Sequence, residues 1–382
     1  MRILILSVSA GGGHMHASLA LKNYILQFEP TSDIEILDTI KYINPLLNKL
    51  LIGGYLKTIK ITPALFGKLY KFTEKDEGIT SVTNKLNEIM CYKLLPTIQE
   101  FKPDIIICTH PFPTEMVSIL KQQNKFDIPM ICILTDYAPH NSWIHPNVDS
   151  YIVSNSDMKE EMVMRGVNIN SVFDFGIPVS SEFFKKYDKK EILLEIGLDP
   201  NKKTILIMGG SLGIGKIARV YSQISKLTVN VQIIVITGNN KKLYSELMNL
   251  KENSKMSTSI LGFTKNVNKY MQCCDLLITK PGGLTITEAF ISNVPLAIFS
   301  AIPGQEKKNE EFLLKHKLAI TLGDGTDCKK IIENLISSPK KLEEMKNNCK
   351  KFSKPSCCRD IFSLINELIR RREIAIMKDE KE

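Results

Sequence analysis

The chain has 382 residues, 43% of them hydrophobic, a length that exceeds a single core and fits two domains of roughly 150–200 residues each. Fifty basic against 41 acidic residues leave a net charge of +9, which points to a polyanionic partner, either nucleic acid or an anionic membrane surface. The nine cysteines form no Cys-x-x-Cys pair, so they read as reduced thiols of a cytosolic protein with no zinc site, and no run of about eighteen apolar residues marks a membrane span.

The first apolar run, residues 3–8, is too short for a secretory signal and leads straight into glycines, so it reads as a strand. The turn Ser9-Ala10-Gly11-Gly12-Gly13-His14 follows it. A glycine turn at that place lets backbone N–H groups approach an anion at the positive end of the next helix. Apolar runs at 34–37, 105–108, 130–134, 150–153 and 172–175 continue the pattern expected of parallel strands buried on both faces. Gly176-Ile177-Pro178-Val179 and the charged residues 185–190 then read as a linker, which places a boundary near residue 180 and gives domains of 1–179 and 180–382. The second half repeats the scheme with runs at 204–208, 231–237, 259–261, 276–279, 295–298 and 319–322. Its own glycine turn, Gly209-Gly210-Ser211-Leu212-Gly213, follows the first of these. Beyond Asp324 the chain is Lys-rich and helical, with a frayed end at 378–382.

Three stretches carry more specific chemistry. Residues 41–73 hold six lysines and no acidic residue, with Leu, Ile, Tyr and Phe between them. Such a segment suits an anionic membrane interface, although an amphipathic helix pair with a solvated basic face has the same composition. No nucleic-acid motif accompanies the charge, so nucleic acid is not expected as a partner. In the second stretch, Thr279-Lys280-Pro281-Gly282-Gly283-Leu284-Thr285-Ile286-Thr287-Glu288-Ala289, a strand, a glycine turn and a helix start succeed one another. Glu288, expected in the first turn, would accept hydrogen bonds from the two hydroxyls of a ribose, or else complete a Thr285-x-x-Glu288 capping box. The third stretch, Pro303-Gly304-Gln305-Glu306-Lys307-Lys308-Asn309, favours the first reading, because Gln305, Glu306 and Asn309 supply the polar groups that a sugar with several hydroxyls requires.

The segments SVSAGGGHMHAS at 7–18, TDYAPHNSWIHP at 135–146, MGGSLGIG at 208–215, TKPGGLTITEA at 279–289 and PGQEKKN at 303–309 closely resemble those of the bacterial diacylglycerol glucosyltransferases and plant monogalactosyldiacylglycerol synthases of glycosyltransferase family 28. The resemblance runs in order from the start of the chain to about residue 325. It implies an α/β protein of the GT-B fold, two Rossmann-like domains with parallel sheets facing a cleft. It also implies a UDP-sugar on the C-terminal domain, a diacylglycerol acceptor on the N-terminal domain, inversion at the anomeric carbon, and no metal or other cofactor.

Carried over by position, Gly209, Gly210 and Ser211 match the diphosphate loop. Glu288 matches the family's ribose carboxylate, and Gln305 and Glu306 its donor-sugar contacts; Gly282 and Gly283 are expected near the phosphates, and Asn309 at the sugar, from the residues themselves. His14 matches the histidine proposed as base for the acceptor hydroxyl, and the helix dipole favours its neutral form. Asp136 would assist catalysis or serve a turn. Gly12, Gly13, His110 and Trp143 belong to the acceptor side, with Trp143 reading equally as a lipid-facing rim or a core residue. The cations Lys216, Lys307 and Lys308 depart from the family pattern. Glucose is expected over galactose because the bacterial branch is the nearer one, and the expected location is the inner face of the cell membrane, bound peripherally.

Three alternatives share parts of the pattern: the transferase that adds N-acetylglucosamine to the peptidoglycan lipid precursor, a UDP-sugar 2-epimerase, and a non-catalytic nucleotide-sugar sensor. A dehydrogenase would not call for the constellation at 279–309.

Overall fold

The computed structural model describes residues 1–9, 12–44, 90–210, 213, 216–299 and 301–379. Residues 45–73 of the basic stretch 41–73, and Ser211, lie outside them. The chain forms two units, one of Met1–Ser180 with Lys354–Glu382 and one of Ser181–Ser353. Among the described residues no helix is long and apolar enough to cross a membrane.

The first unit is built on a parallel sheet of β1 (Arg2–Ser7), β2 (Asp33–Asp38), β3 (Ile105–Cys108), β4 (Met130–Ile133), β5 (Ser150–Ile152) and β6 (Val172–Phe173), in the order β2-β1-β3-β4-β5-β6. Side chains of a strand alternate between faces, and both faces here are covered. Ile3 and Ile5 pack with Leu21 and Ile25 of the helix Gly13–Phe28. Leu4 and Leu6 pack on the other face with Ile98, Phe101, Met116 and Leu120. That double burial is why the inner strands β1, β3 and β4 read as apolar runs, whereas β2 at the edge leaves Asp33 and Glu35 exposed. The chain leaves β1 toward β2 on one side and resumes with β3 on the other, so the carboxyl ends of β1 and β3 form a switch point.

The second unit carries β7 (Lys203–Met208), β8 (Val231–Ile236), β9 (Thr258–Leu261), β10 (Leu276–Thr279), β11 (Leu296–Ile298) and β12 (Ala319–Thr321), all parallel. Their order is β12-β11-β10-β7-β8-β9, which is the Rossmann arrangement, with its switch point between β7 and β10. Ile205, Ile207, Ile233 and Val235 pack there with Val220, Tyr221 and Ile224 of the helix Ile217–Ile224.

One expectation about domains is corrected. The last helix, Cys357–Asp379, belongs to the first unit and not to the second. Its stripe Ile361, Leu364 and Ile365, at helical spacing, is buried in the same cluster as Ile3, Ile5, Ile105 and Ile131. Lys354 leads into that helix and pairs with Asp174 at 2.9 Å. Gly176 (φ 99°) makes room for it, since a Cβ at Gly176 would lie 2.7 Å from the Lys354 Cβ. All nine cysteines are buried and none forms a disulfide.

Candidate functional site

In the first unit the candidate residues gather at the carboxyl ends of β1, β3 and β4. Gly12, in the left-handed region at φ 82°, caps the helix Gly13–Phe28, and His14 stands in its first turn. The His14 Nδ1 lies 2.8 Å from the Thr109 carbonyl oxygen and 2.7 Å from the Thr135 hydroxyl. A carbonyl can only accept, so Nδ1 carries the proton and Nε2 keeps its lone pair. Burial pushes the imidazole pKa down from 6.5 to about 4, against the opposing hydrogen bond to Thr109. The neutral base expected from the helix dipole is therefore produced mainly by desolvation.

A chain of buried hydroxyls fixes this arrangement. Thr109 Oγ1 donates to Ser7 Oγ at 2.8 Å and lies 3.1 Å from Ser18 Oγ, whose hydroxyl donates to the His14 carbonyl at 2.9 Å. The ends of β1 and β3 are thus tied to the helix that bears the histidine. Sequence reading missed Thr109 and Thr135. The available signal is that each directly follows an apolar strand, at the edge where ligands bind in such sheets. Asp136 is buried beside Thr135, but the imidazole is held by Thr109 and Thr135 and not by Asp136.

His110 caps the helix Pro111–Gln122, its Nδ1 accepting the Phe112 N–H at 3.1 Å. Its ring meets that of His14 edge-on, with centroids 4.7 Å apart. Burial first, and the neighbouring His14 second, hold its pKa well below 6.5. Trp143 lies under both, its ring 6.3 Å from His14 and 6.4 Å from His110. At 1% exposure it is a core residue of the 3-10 turn Asn141–Trp143. The lipid-facing rim is ruled out for it, because its indole packs inward with Cys132, Leu134 and Tyr151.

In the second unit the candidates follow β7, β10 and β11. Gly210 (φ 74°) has open space where a side chain would begin, and so does Gly282. Gly282 caps the helix Gly283–Ile291 without any side-chain hydrogen bond, so amides of the first turn remain available to an anion. Gly213 (φ 54°) is there for close approach, since a Cβ would sit 2.3 Å from the Thr237 carbonyl oxygen.

Glu288 lies in the second turn of that helix and not in the first, because the helix begins at Gly283. Thr285 is consequently inside the helix and no capping box forms. The Glu288 carboxyl is half-buried, has no hydrogen-bond partner among the described residues, and is raised by burial alone from 4.5 to about 8. A carboxyl held that way is suited to receive a ligand's hydroxyl groups.

Two sugar-loop expectations change. Glu306 spends one oxygen on Lys280 at 2.6 Å and the other on the Ile302 N–H at 2.9 Å, so it joins the loop after β10 to the loop after β11. Lys280 is a further residue missed in sequence, where a lysine after a strand reads as surface charge. Asn309 is fully buried and donates to the Pro281 carbonyl at 2.9 Å, which makes it a support for the glycine turn and not a sugar contact. Gln305 opens the helix Gln305–Lys315 behind Gly304, whose φ of 107° favours glycine. Among the described residues no three His, Cys, Asp or Glu side chains converge as a metal site.

Residues 14–179 match the monogalactosyldiacylglycerol (MGDG) synthase family, and residues 204–361 match the glycosyltransferase family 28 C-terminal domain. A processive diacylglycerol beta-glucosyltransferase of Bacillus pumilus is 31% identical over 91% of this chain and 90% of its own. Among solved structures, Acinetobacter baumannii MurG superposes with a TM-score of 0.64 at 15% identity, over 96% of this chain and 99% of MurG. A UDP-GlcNAc 2-epimerase of Neisseria meningitidis gives 0.62 at 14% identity, over 96% of this chain and 100% of the epimerase. The fold is thus the GT-B class of two Rossmann-like domains.

Proposed function

The chain belongs to the glycosyltransferase family 28 branch that contains the processive diacylglycerol beta-glucosyltransferases, and from that membership we propose that it transfers glucose from UDP-glucose to diacylglycerol with inversion. The observation that carries this reading is His14, an imidazole kept neutral by burial with its proton placed on Nδ1. Its free Nε2 takes the proton of the diacylglycerol hydroxyl as that oxygen bonds to C1 of the sugar and the bond from C1 to the UDP oxygen breaks. Negative charge developing on the β-phosphate is met by amides at Gly209, Gly210 and the start of the helix Gly283–Ile291. Glu288 holds the ribose, and Lys280 and Glu306 hold the two donor loops in register. Backbone amides take the part a divalent metal plays elsewhere, so activity persists in EDTA.

The acceptor is a membrane lipid, which requires work at a bilayer surface. The six lysines of residues 41–73 suit a peripheral position on the inner face, each contributing about 1 kcal/mol near anionic lipid.

The test is incubation with diacylglycerol in anionic vesicles and radiolabelled UDP-glucose, UDP-galactose or UDP-N-acetylglucosamine in parallel, with and without EDTA, followed by organic extraction. Label from UDP-glucose in the organic phase supports the proposal. A soluble labelled epimer, or label confined to water with every donor, defeats it. Loss of transfer in EDTA with rescue by magnesium defeats the metal-free mechanism.

A further inference from the structure

We propose that His110 is the positioning residue for the acceptor hydroxyl, presenting an Nε2–H donor beside the Nε2 lone pair of His14 so that an alcohol is held with its proton aimed at the base. The inference rests on the transferase reading above.

The two imidazoles have opposite polarity, and the backbone sets it. At His14 the partner of Nδ1 is a carbonyl oxygen, at 2.8 Å, so the proton lies on Nδ1. At His110 the partner of Nδ1 is the Phe112 N–H, at 3.1 Å. A backbone N–H can only donate, so Nδ1 of His110 is bare and its proton lies on Nε2. Neither Nε2 has a hydrogen-bond partner among the described residues, and neither is sealed from solvent. The rings stand edge-on at 4.7 Å, and Trp143 packs under both.

An acceptor and a donor on rings whose centroids stand 4.7 Å apart can be satisfied together by one hydroxyl. The His110 Nε2–H donates to one lone pair of the oxygen, the O–H points to His14, and the second lone pair is left to attack C1. An ammonium group has no lone pair for His110, and a carbonyl has no proton for His14, so the pair rejects both and accepts a hydroxyl. Orientation of this kind is a recognised source of rate, since small misplacements of a reacting group cost up to about a hundredfold.

Two substitutions separate this role from the helix cap. His110→Asn puts an amide oxygen where Nδ1 was, which retains the bond from Phe112, and removes the donor at the ε position. His110→Gln restores an N–H near the ε position and gives up the cap. The expected result is an Asn variant with wild-type melting temperature and UDP-glucose KM but kcat reduced about ten- to a hundredfold, and a Gln variant with a lower melting temperature and a kcat well above that of Asn. An Asn variant with wild-type kcat overturns the proposal and leaves His110 as a cap only.

A long-range 1H–15N spectrum of the full chain, labelled with 15N-histidine at pH 7, tests the premise without any assay of transfer. Nδ1–H at His14 and Nε2–H at His110 are expected. A reversed or cationic His110 overturns the proposal whatever the activity. Wild-type protein with the expected spectrum but no sugar transfer overturns the transferase reading and the positioning role with it, while the tautomer pair stands.

Discussion

Glu288→Gln replaces a carboxyl whose pKa burial raises from 4.5 to about 8 with an uncharged group of the same shape. In the unfolded chain this carboxyl ionises above about pH 4.5, whereas in the folded protein it keeps its proton to about pH 8. Across that window the folded state binds more protons, so the stability linked to Glu288 is complete below about pH 4.5 and is lost as pH rises toward 8. At about 1.4 kcal/mol per pH unit crossed, the loss reaches about 3 kcal/mol at pH 7 and about 5 above pH 8. The Gln variant escapes it, and is expected to be more stable than wild type at pH 7 by up to about 3 kcal/mol, with no difference near pH 4. Ligand binding should move the other way. Ribose hydroxyls donate best to the ionised carboxylate, so UDP-glucose binding expels the proton, and wild-type affinity should rise by up to about tenfold per pH unit from pH 6 to 8. The diphosphate of UDP-glucose does not titrate there, which makes it a cleaner probe than UDP. Urea unfolding at pH 4 and 7 measures the first effect. Calorimetric titration with UDP-glucose, in two buffers of different ionisation enthalpy, measures the second through the proton released. A Gln variant that binds UDP-glucose with wild-type affinity and the same pH slope would refute the ribose assignment, and one less stable than wild type at pH 7 would refute the burial argument.

Further outcomes are expected at three places. His14→Ala should lower kcat about 10²–10⁴-fold while leaving UDP-glucose affinity intact. Because burial brings the His14 pKa down to about 4, the wild-type kcat, read at saturating UDP-glucose, should stay level on acidification to about pH 5, and an acid limb in kcat centred near 6.5 would contradict the buried base. Lys280→Met leaves the Glu306 carboxylate, paired in the wild type at 2.6 Å, without its cation, and is expected to cost about 1–3 kcal/mol. Adding Glu306→Gln should recover part of that stability, and a double-mutant cycle with no coupling would show that the pair does not hold the loops. Trp143→Ala should cost about 3–5 kcal/mol as a core deletion. The fluorescence of wild-type Trp143, the only tryptophan, should be shielded from acrylamide and unmoved by lipid vesicles, whereas a shift on adding vesicles would return it to a lipid-facing rim.

The twelve strands among the described residues were legible as apolar runs, most of them because a parallel strand covered on both faces has no polar alternation, and the edge strand β2 from Ile34, Ile36 and Leu37 despite Glu35 between them. The glycine turns after β1, β7 and β10 were legible for a local reason, since Gly12 and Gly210 have positive φ and Gly282 has open space where a side chain would begin. Glu288 was found, but its setting was misjudged by a turn, because the chain there contains both a glycine start and a Thr-x-x-Glu cap and only packing selects between them. What the sequence could not convey was partnership across distance. Thr109 and Thr135 lie 95 and 121 residues from the imidazole they orient, and they meet it because strand order brings the ends of β1, β3 and β4 together. The same holds for the pairing of Lys280 with Glu306 across neighbouring strand ends, and for the inward turn of Trp143. The last helix shows the rule most simply. Its apolar stripe determined that it would be covered, and the tertiary structure alone decided by which sheet, because a stripe at helical spacing records the need for a partner and carries no address.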